Sequence, residues 1–311
     1  MKLNDQHRER IAACLFLAPN LAGFFLFTLF PVIGSFVLAF TDWNIFTPPK
    51  FIGLAHFKTM FMTPDFWKYF WNTLVLMSGI PVSIACSLAL ALLMKDKLPG
   101  IALFRTLYFL PTVSSGVALF ILWRWIYNPD FGLMNQFLGA LWEAGAWFVG
   151  LFGFDPGPFP APLWLSSERW AKPALILMGI WLSAGGPNMV LYLAGLQQIP
   201  KELIEAAGID GAGHWTTFRH ITWPMLAPTT FFIAVMSIIG GLQGGFEQVY
   251  IMTAGGPGGA TTTLSFYVYD KGFEWFEMGY ASAVAWFLFF MVFIATLFQW
   301  KFGRGAETYM G

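Results

Sequence analysis

The 311-residue chain predicts an all-α membrane protein with six transmembrane helices. Three observations predict it. Hydrophobic residues make up 57% of the chain and charged residues 11%, far more apolar than a soluble fold of this length. Six runs each reach the about 20 apolar residues needed to cross hydrocarbon. The loops between them alternate between basic stretches and longer ones rich in Trp, Pro and Gly, the pattern of a polytopic chain.

The first run, Ile11 to Phe40, exceeds what a bilayer requires and contains Pro19 and Pro31, so it is expected to kink or extend beyond the membrane. Lys2, Arg8 and Arg10 precede it, yet it is too long for a signal-peptide core of about 7 to 15 residues and lacks a small-x-small exit. It reads as a retained helix. The remaining runs are Phe70 to Met94, Phe104 to Tyr127, Pro173 to Leu196, Pro228 to Met252 and Gly279 to Trp300. An even number places both termini on one side. With the N-terminus inside, Lys2, Arg8, Arg10, Lys95, Lys97, Arg105, Lys201, Arg219, Lys301 and Arg304 become cytoplasmic, which sets the orientation. Thr41 to Lys68, Asn128 to Lys172 and Thr253 to Glu277 then lie outside, carrying Trp43, Trp142, Trp147, Trp164, Trp170 and Trp275.

The chain thus divides into a cytoplasmic tail (1–10), a first transmembrane helix with its external loop (11–69), a five-helix core (70–301) and a second cytoplasmic tail (302–311). Within the core, residues 197–227 form a cytoplasmic loop. Cys14 and Cys86 fall inside apolar runs and behave as small hydrophobes. A net charge of +0, without basic blocks or zinc-type spacing, excludes a nucleic-acid binder. No phosphate-binding G-x-x-x-x-G-K-[ST] stretch, H-E-x-x-H or G-x-S-x-G occurs, so the chain reads as neither an ATPase nor another enzyme, with no cofactor or metal of its own.

Pro200 to Pro228 is the polar stretch that interrupts this apolar chain. Pro200 suits a first helical position, Lys201 to Ala207 are good helix formers, and Gly208 fits a left-handed stop. Asp210-Gly211 makes a turn, after which Asp210 is expected to cap a second helix with Trp215, Phe218 and Ile221 on one apolar face. An apolar face on a surface loop needs a partner.

Glu205-Ala206-Ala207, then Gly211, then Ile221-Thr222-Trp223-Pro224 resembles the EAA loop of binding-protein-dependent ABC importer permeases, with Trp223 where that family usually has Leu. Thr41-Asp42-Trp43, Asn128-Pro129-Asp130-Phe131-Gly132 with Asn135, Ala194-Gly195-Leu196-Gln197 with Ile199-Pro200, and Thr253-Ala254-Gly255-Gly256-Pro257 are similar to its sugar and glycerol-3-phosphate branch, the maltose-type permeases. The resemblance implies the type I importer permease fold in a bacterial inner membrane. It also implies a second homologous permease, two copies of an ATP-binding subunit that binds the ATP, and an extracytoplasmic solute-binding protein. Glu205, Ala206, Ala207, Asp210, Gly211, Ile221 and Pro224 would carry the coupling to the ATPase.

Polar groups inside spans are costly and mark the candidate solute path. Counting about 1.5 Å per residue from the cytoplasmic ends brings Asn188 and Gly240 near the midplane, with Gln243, Gly244 and Glu247 farther out. Tyr192 and Trp181 add hydrogen-bonding and stacking groups. Helix-to-helix hydrogen bonding is the alternative role for these polar residues. The run Gly240 to Gly245 favours close helix packing over a locally unwound binding segment. Arg105 and Arg124 fall at opposite ends of the third run, so no cation faces the midplane, and a neutral sugar, oligosaccharide or polyol is the expected solute. Glycerol-3-phosphate or a glycerophosphodiester is the alternative. An ion-coupled secondary transporter would need intramembrane carboxylates, of which only Glu247 is available.

Overall fold

A computed structural model describes residues 5–96 and 99–307. Lys2, Lys97 and residues 308–311 of the expected tail lie outside the described residues, as do the side chains of Arg8 and Arg304. Among the described residues, four helices are long and apolar enough to cross a membrane: Glu9–Leu38, Pro64–Met94, Glu168–Gln197 and Met278–Lys301. Two bent pairs, Ile101–Val113 with Gly116–Ile126 and His214–Met225 with Ala227–Gln243, bring the total to six when each is one span. Six spans are the architecture expected from hydropathy.

The chain separates into two compact units, residues 1–64 with 267–287, and residues 65–266 with 288–311. In the first unit, the short strands Thr41–Asp42 and Lys50–Phe51 pair antiparallel, Thr41 opposite Phe51. The indole of Trp286 donates to Ser35 Oγ at 3.2 Å, and its ring meets Phe36 edge-on. The window of Glu9–Leu38 that qualifies as a span is 0% buried, so its apolar faces are left for lipid or another subunit.

The second unit holds two apolar clusters. Trp123, Tyr127, Trp164, Met178, Val249 and Phe266 centre one, and Leu88, Met94, Met189, Tyr192, Leu226 and Ile233 the other. Small residues let the helices come close enough to form them. A Cβ on Gly79 would sit 3.0 Å from Ile176 Cγ2, where the second and fourth spans touch. One on Gly185 would sit 2.5 Å from the Tyr108 carbonyl oxygen, where the third and fourth meet.

The third run departs from a straight span, because Ile101–Val113 and Gly116–Ile126 meet at 102°. Pro111 lies in the last turn of the first piece, and Ser114 and Ser115 are then extended, with ψ of 151° and 129°. Proline cannot donate to the preceding turn, so the helix stops soon after it. The fifth run departs as well. It ends at Gln243, Gly244 is extended, Gly245 takes φ +87°, and a separate helix Phe246–Met252 follows. The glycine run therefore serves both purposes: Gly241 packs, as favoured, where a Cβ would lie 2.9 Å from Ile80 Cδ1, and at Gly244-Gly245 the less favoured local unwinding occurs as well.

After the break the chain is held by the second span. Asn72, buried, donates to the carbonyls of Gly259 and Thr262 at 2.9 and 3.0 Å, and Lys68 Nζ donates to Gly258 O at 2.6 Å. Thr73 Oγ1 accepts from Leu264 N at 3.0 Å. These partners satisfy the backbone of an irregular, glycine-rich loop that cannot satisfy itself. A helix over Leu133–Gly150 occupies the segment read only as an external loop. Asn135 on it donates to Pro129 O and Pro162 O and accepts from the Trp164 indole at 2.7 Å.

Candidate functional site

The loop between the fourth and fifth spans contains the two helices expected of it, Lys201–Ile209 and His214–Met225. Its joints differ from expectation. Pro200 is the residue before the first helix, and Gly208 lies inside it. The stop falls at Gly211, whose φ is +76°. Gly211 N donates to Gly208 O at 3.1 Å and Ala212 N to Ala207 O at 2.9 Å, the paired bonds of a Schellman ending. Asp210 is the last cap of the first helix and leaves the second uncapped, since Gly213 precedes that one without a side-chain bond.

Glu205, Ala206, Asp210 and Gly211 are exposed and Ala207 is half-buried. Beside them, Ile209 is 87% exposed and Trp215 is 70% exposed, so the turn presents large apolar surface next to a carboxylate. The second helix connects this surface to the spans. Phe218 stacks on Trp215 at 5.5 Å and packs against the cluster of Leu88, Met189, Tyr192 and Leu226. Ile221 and Pro224 are half-buried and Thr222 is buried, which anchors the helix end. Phe218 thus joins the turn to side chains of the second, fourth and fifth spans.

The candidate path residues separate. Asn188 lines a cleft of about 480 Å³ with Thr112, Ser114, Ser183 and Ser237. Gly244 lines a neighbouring cavity of about 320 Å³ with Ser83, Gln248 and the same Ser183 and Ser237. Gln243 and Glu247 are exposed and line neither. Tyr192 is fully buried and its hydroxyl donates to Thr230 Oγ1 at 3.1 Å, which places it between helices in this conformation. Trp181 is 46% exposed and meets Trp123 edge-on.

Sequence reasoning missed the serines and Gln248. Ser83 and Ser87 bond the carbonyls of Ile80 and Ser83, and Ser87 also reaches Ser183 O at 3.4 Å. A serine that bonds its own helix carries little polarity in a hydropathy profile. Gln248, which donates to Leu175 O at 2.9 Å, was detectable as an amide beside Glu247. No Lys or Arg lines either cavity. The Arg105 guanidinium bonds the Met94 carbonyl at one end of the spans, and Arg124 lies near Ile251 O at 3.5 Å at the other.

The pattern of a binding-protein-dependent transport system inner membrane component matches residues 11–305. The chain belongs to that family. It is 35% identical over 96% of its length to the probable ABC transporter permease protein YesP of Bacillus subtilis, covering 93% of that relative. It is 36% identical to the lactose transport system permease protein LacF of Rhizobium radiobacter, over 93% of each chain. The crystal structure of a bacterial alginate ABC transporter in complex with an alginate pentasaccharide-bound periplasmic protein contains a chain that superposes with a TM-score of 0.79, at 25% identity over 96% of both. As a family member the chain is a permease component of an inner membrane, and the loop of Glu205 and Gly211 falls within the matched region.

Proposed function

We propose that this chain is one of two permease subunits of an importer that carries a neutral saccharide, released by an extracytoplasmic binding protein and driven by ATP hydrolysis on separate subunits. Both termini are cytoplasmic in this reading. The observation that carries the solute class is the lining of the two clefts that share Ser183 and Ser237: among apolar side chains, its polar groups are hydroxyls and amides, without a Lys or Arg. Such groups exchange hydrogen bonds with sugar hydroxyls, and an anionic solute there would meet no counter-charge from this chain's lining. Relatives that transport lactose and the acidic polysaccharide alginate support the saccharide class, while neutrality rests on the lining.

The turn at Gly211 is the ATPase contact. Small side chains at Ala206, Ala207 and Gly211 permit close approach, Glu205 offers a carboxylate to a donor, and exposed Ile209 and Trp215 supply apolar area. Closure of the ATPase would press the turn, and Phe218 would pass the displacement to Leu88, Tyr192 and Leu226. Uptake of labelled lactose, maltotriose, glycerol-3-phosphate and alginate oligosaccharide by cells expressing all subunits tests the reading. Neutral saccharide uptake that requires ATP is expected, and exclusive uptake of an anionic solute would overturn the neutral assignment.

A further inference from the structure

The unit formed by residues 1–64 and 267–287 contains a cavity of about 560 Å³ that the mechanism above does not use. That size falls within the roughly 300 to 1,000 Å³ of small-molecule sites. Trp43 and Trp275 stand on its rim, Tyr267 and Tyr280 form buried wall, and Asp42 and His56 supply polar groups. The two tyrosine hydroxyls are bonded to each other at 3.2 Å, so the wall is already satisfied and rigid.

The rim is built to hold an aromatic face in water. Trp275 is 65% exposed, yet Lys271 Nζ lies 5.6 Å from its ring centre and 5.9 Å from that of Tyr280. The same Lys271 is bridged to Glu277 at 3.0 Å, and the backbone closes around the indole through Trp275 N to Asp270 O and Glu277 N to Lys271 O. Phe276, at φ +56°, turns the chain between them. Opposite, His56 Nε2 donates to Thr41 O at 3.0 Å. Among the described residues, no protein group bonds the Asp42 carboxylate or the Trp43 indole N–H.

Aromatic faces beside an uncommitted carboxylate and an uncommitted indole N–H are the chemistry that holds a sugar ring: apolar C–H on the indole face, hydroxyls on the carboxylate and the N–H. The charges favour a neutral one. Lys271 and Glu277 cancel, Asp42 remains, and an anionic group would be repelled. We propose that this cavity is a saccharide-binding subsite of the permease, separate from the clefts lined by Ser183 and Ser237, where a neutral sugar is held as it enters or leaves the transporter. The inference rests on the proposed saccharide import. The concavity is that of a small-molecule site.

The test uses the importer assembled with its partner permease and ATPase subunits in lipid nanodiscs, without binding protein. Lactose, maltotriose and arabinotriose are titrated, and saturation-transfer NMR and tryptophan fluorescence report binding. Saturable binding of at least one is expected. Trp275→Ala and Asp42→Asn should each weaken it about tenfold, and Trp275→Tyr, which keeps an aromatic face, by no more than about threefold. Both positions are exposed, and an unchanged basal ATPase rate would verify that the variants are folded. Absence of saturable binding by all three sugars, or equal binding by wild type and both variants, overturns the subsite. So does loss of the ATPase stimulation seen when binding protein is then added, with unchanged sugar affinity, which would assign the surface to protein docking. Saccharide uptake in cells is measured separately: uptake that persists beside a failed titration removes the subsite and leaves the import reading standing.

Discussion

Gly211 separates two reasons why a residue in the loop matters. Its left-handed φ of +76° closes the helix Lys201–Ile209, so a residue with a Cβ pays about 1 to 2 kcal/mol to remain there. Sterically the chain itself makes no objection, since a Cβ at Gly211 meets nothing within 4 Å. Asn tolerates the left-handed region better than other residues, so Gly211→Asn keeps the turn while adding volume. Gly211→Ala adds one methyl with the full strain, and Gly211→Trp adds both strain and bulk. The spans do not see the change, so all three variants should insert and unfold within a few degrees of wild type, a shift matching about 1 to 2 kcal/mol at most. If the turn seats in the ATPase, Gly211→Trp should lower ATP-dependent uptake at least about a hundredfold, the loss of roughly 2.7 kcal/mol or more of docking. Gly211→Asn should retain more activity than Gly211→Ala only if backbone strain, and not volume, is what the ATPase rejects. The assay is uptake into proteoliposomes with matched amounts of each complex, alongside ATPase co-purification. Wild-type uptake by a well-inserted Gly211→Trp protein would refute the docking.

Three further outcomes follow from the packing. Phe218→Ala should leave ATPase binding intact and reduce uptake, because the link from the turn to Leu88, Tyr192 and Leu226 is cut; unchanged uptake per bound ATPase would count against that link. Asn72→Ala removes both donors to Gly259 O and Thr262 O and should cost about 1 to 3 kcal/mol, read as a lower unfolding temperature and faster proteolysis of the 254–263 loop. Gly185→Ala should cost about 1 to 3 kcal/mol, since its Cβ meets a backbone oxygen of Tyr108, whereas Gly240→Ala, with nothing within 4 Å, should be tolerated; equal unfolding temperatures would contradict the close approach.

The spans were legible because burying about 20 residues in hydrocarbon leaves a composition signal that needs no tertiary information. Backbone direction leaves none. The 102° bend after Pro111 and the break at Gly244-Gly245 both lie inside uniformly apolar runs, where Pro111 and the glycines were the available hints. Two glycines three residues apart, Gly208 and Gly211, equally fit a helix stop, and only the bonds to Ala207 O and Gly208 O decide between them. Leu133–Gly150 went unread because Asn135, Gln136 and Glu143 dilute its apolar content below that of a span. In the candidate path, Asn188 was found by depth, while Ser183 and Ser237 were not, since single hydroxyls are common in spans and acquire meaning only when three helices bring them to one cleft. The helix pair between the fourth and fifth spans was the most legible part, because a polar stretch between apolar runs stands out by composition.

In the proposed importer, solute moves through this chain by the work of a separate ATPase. Reconstitution of the chain with its partner permease, ATP-binding subunits and binding protein in proteoliposomes tests it most directly, with labelled neutral saccharide on the binding-protein side and ATP on the other. Uptake that requires both ATP and binding protein, persists when proton and sodium gradients are collapsed, and disappears with Gly211→Trp is the predicted result. Saccharide accumulation that proceeds without ATP and follows an imposed ion gradient would contradict it.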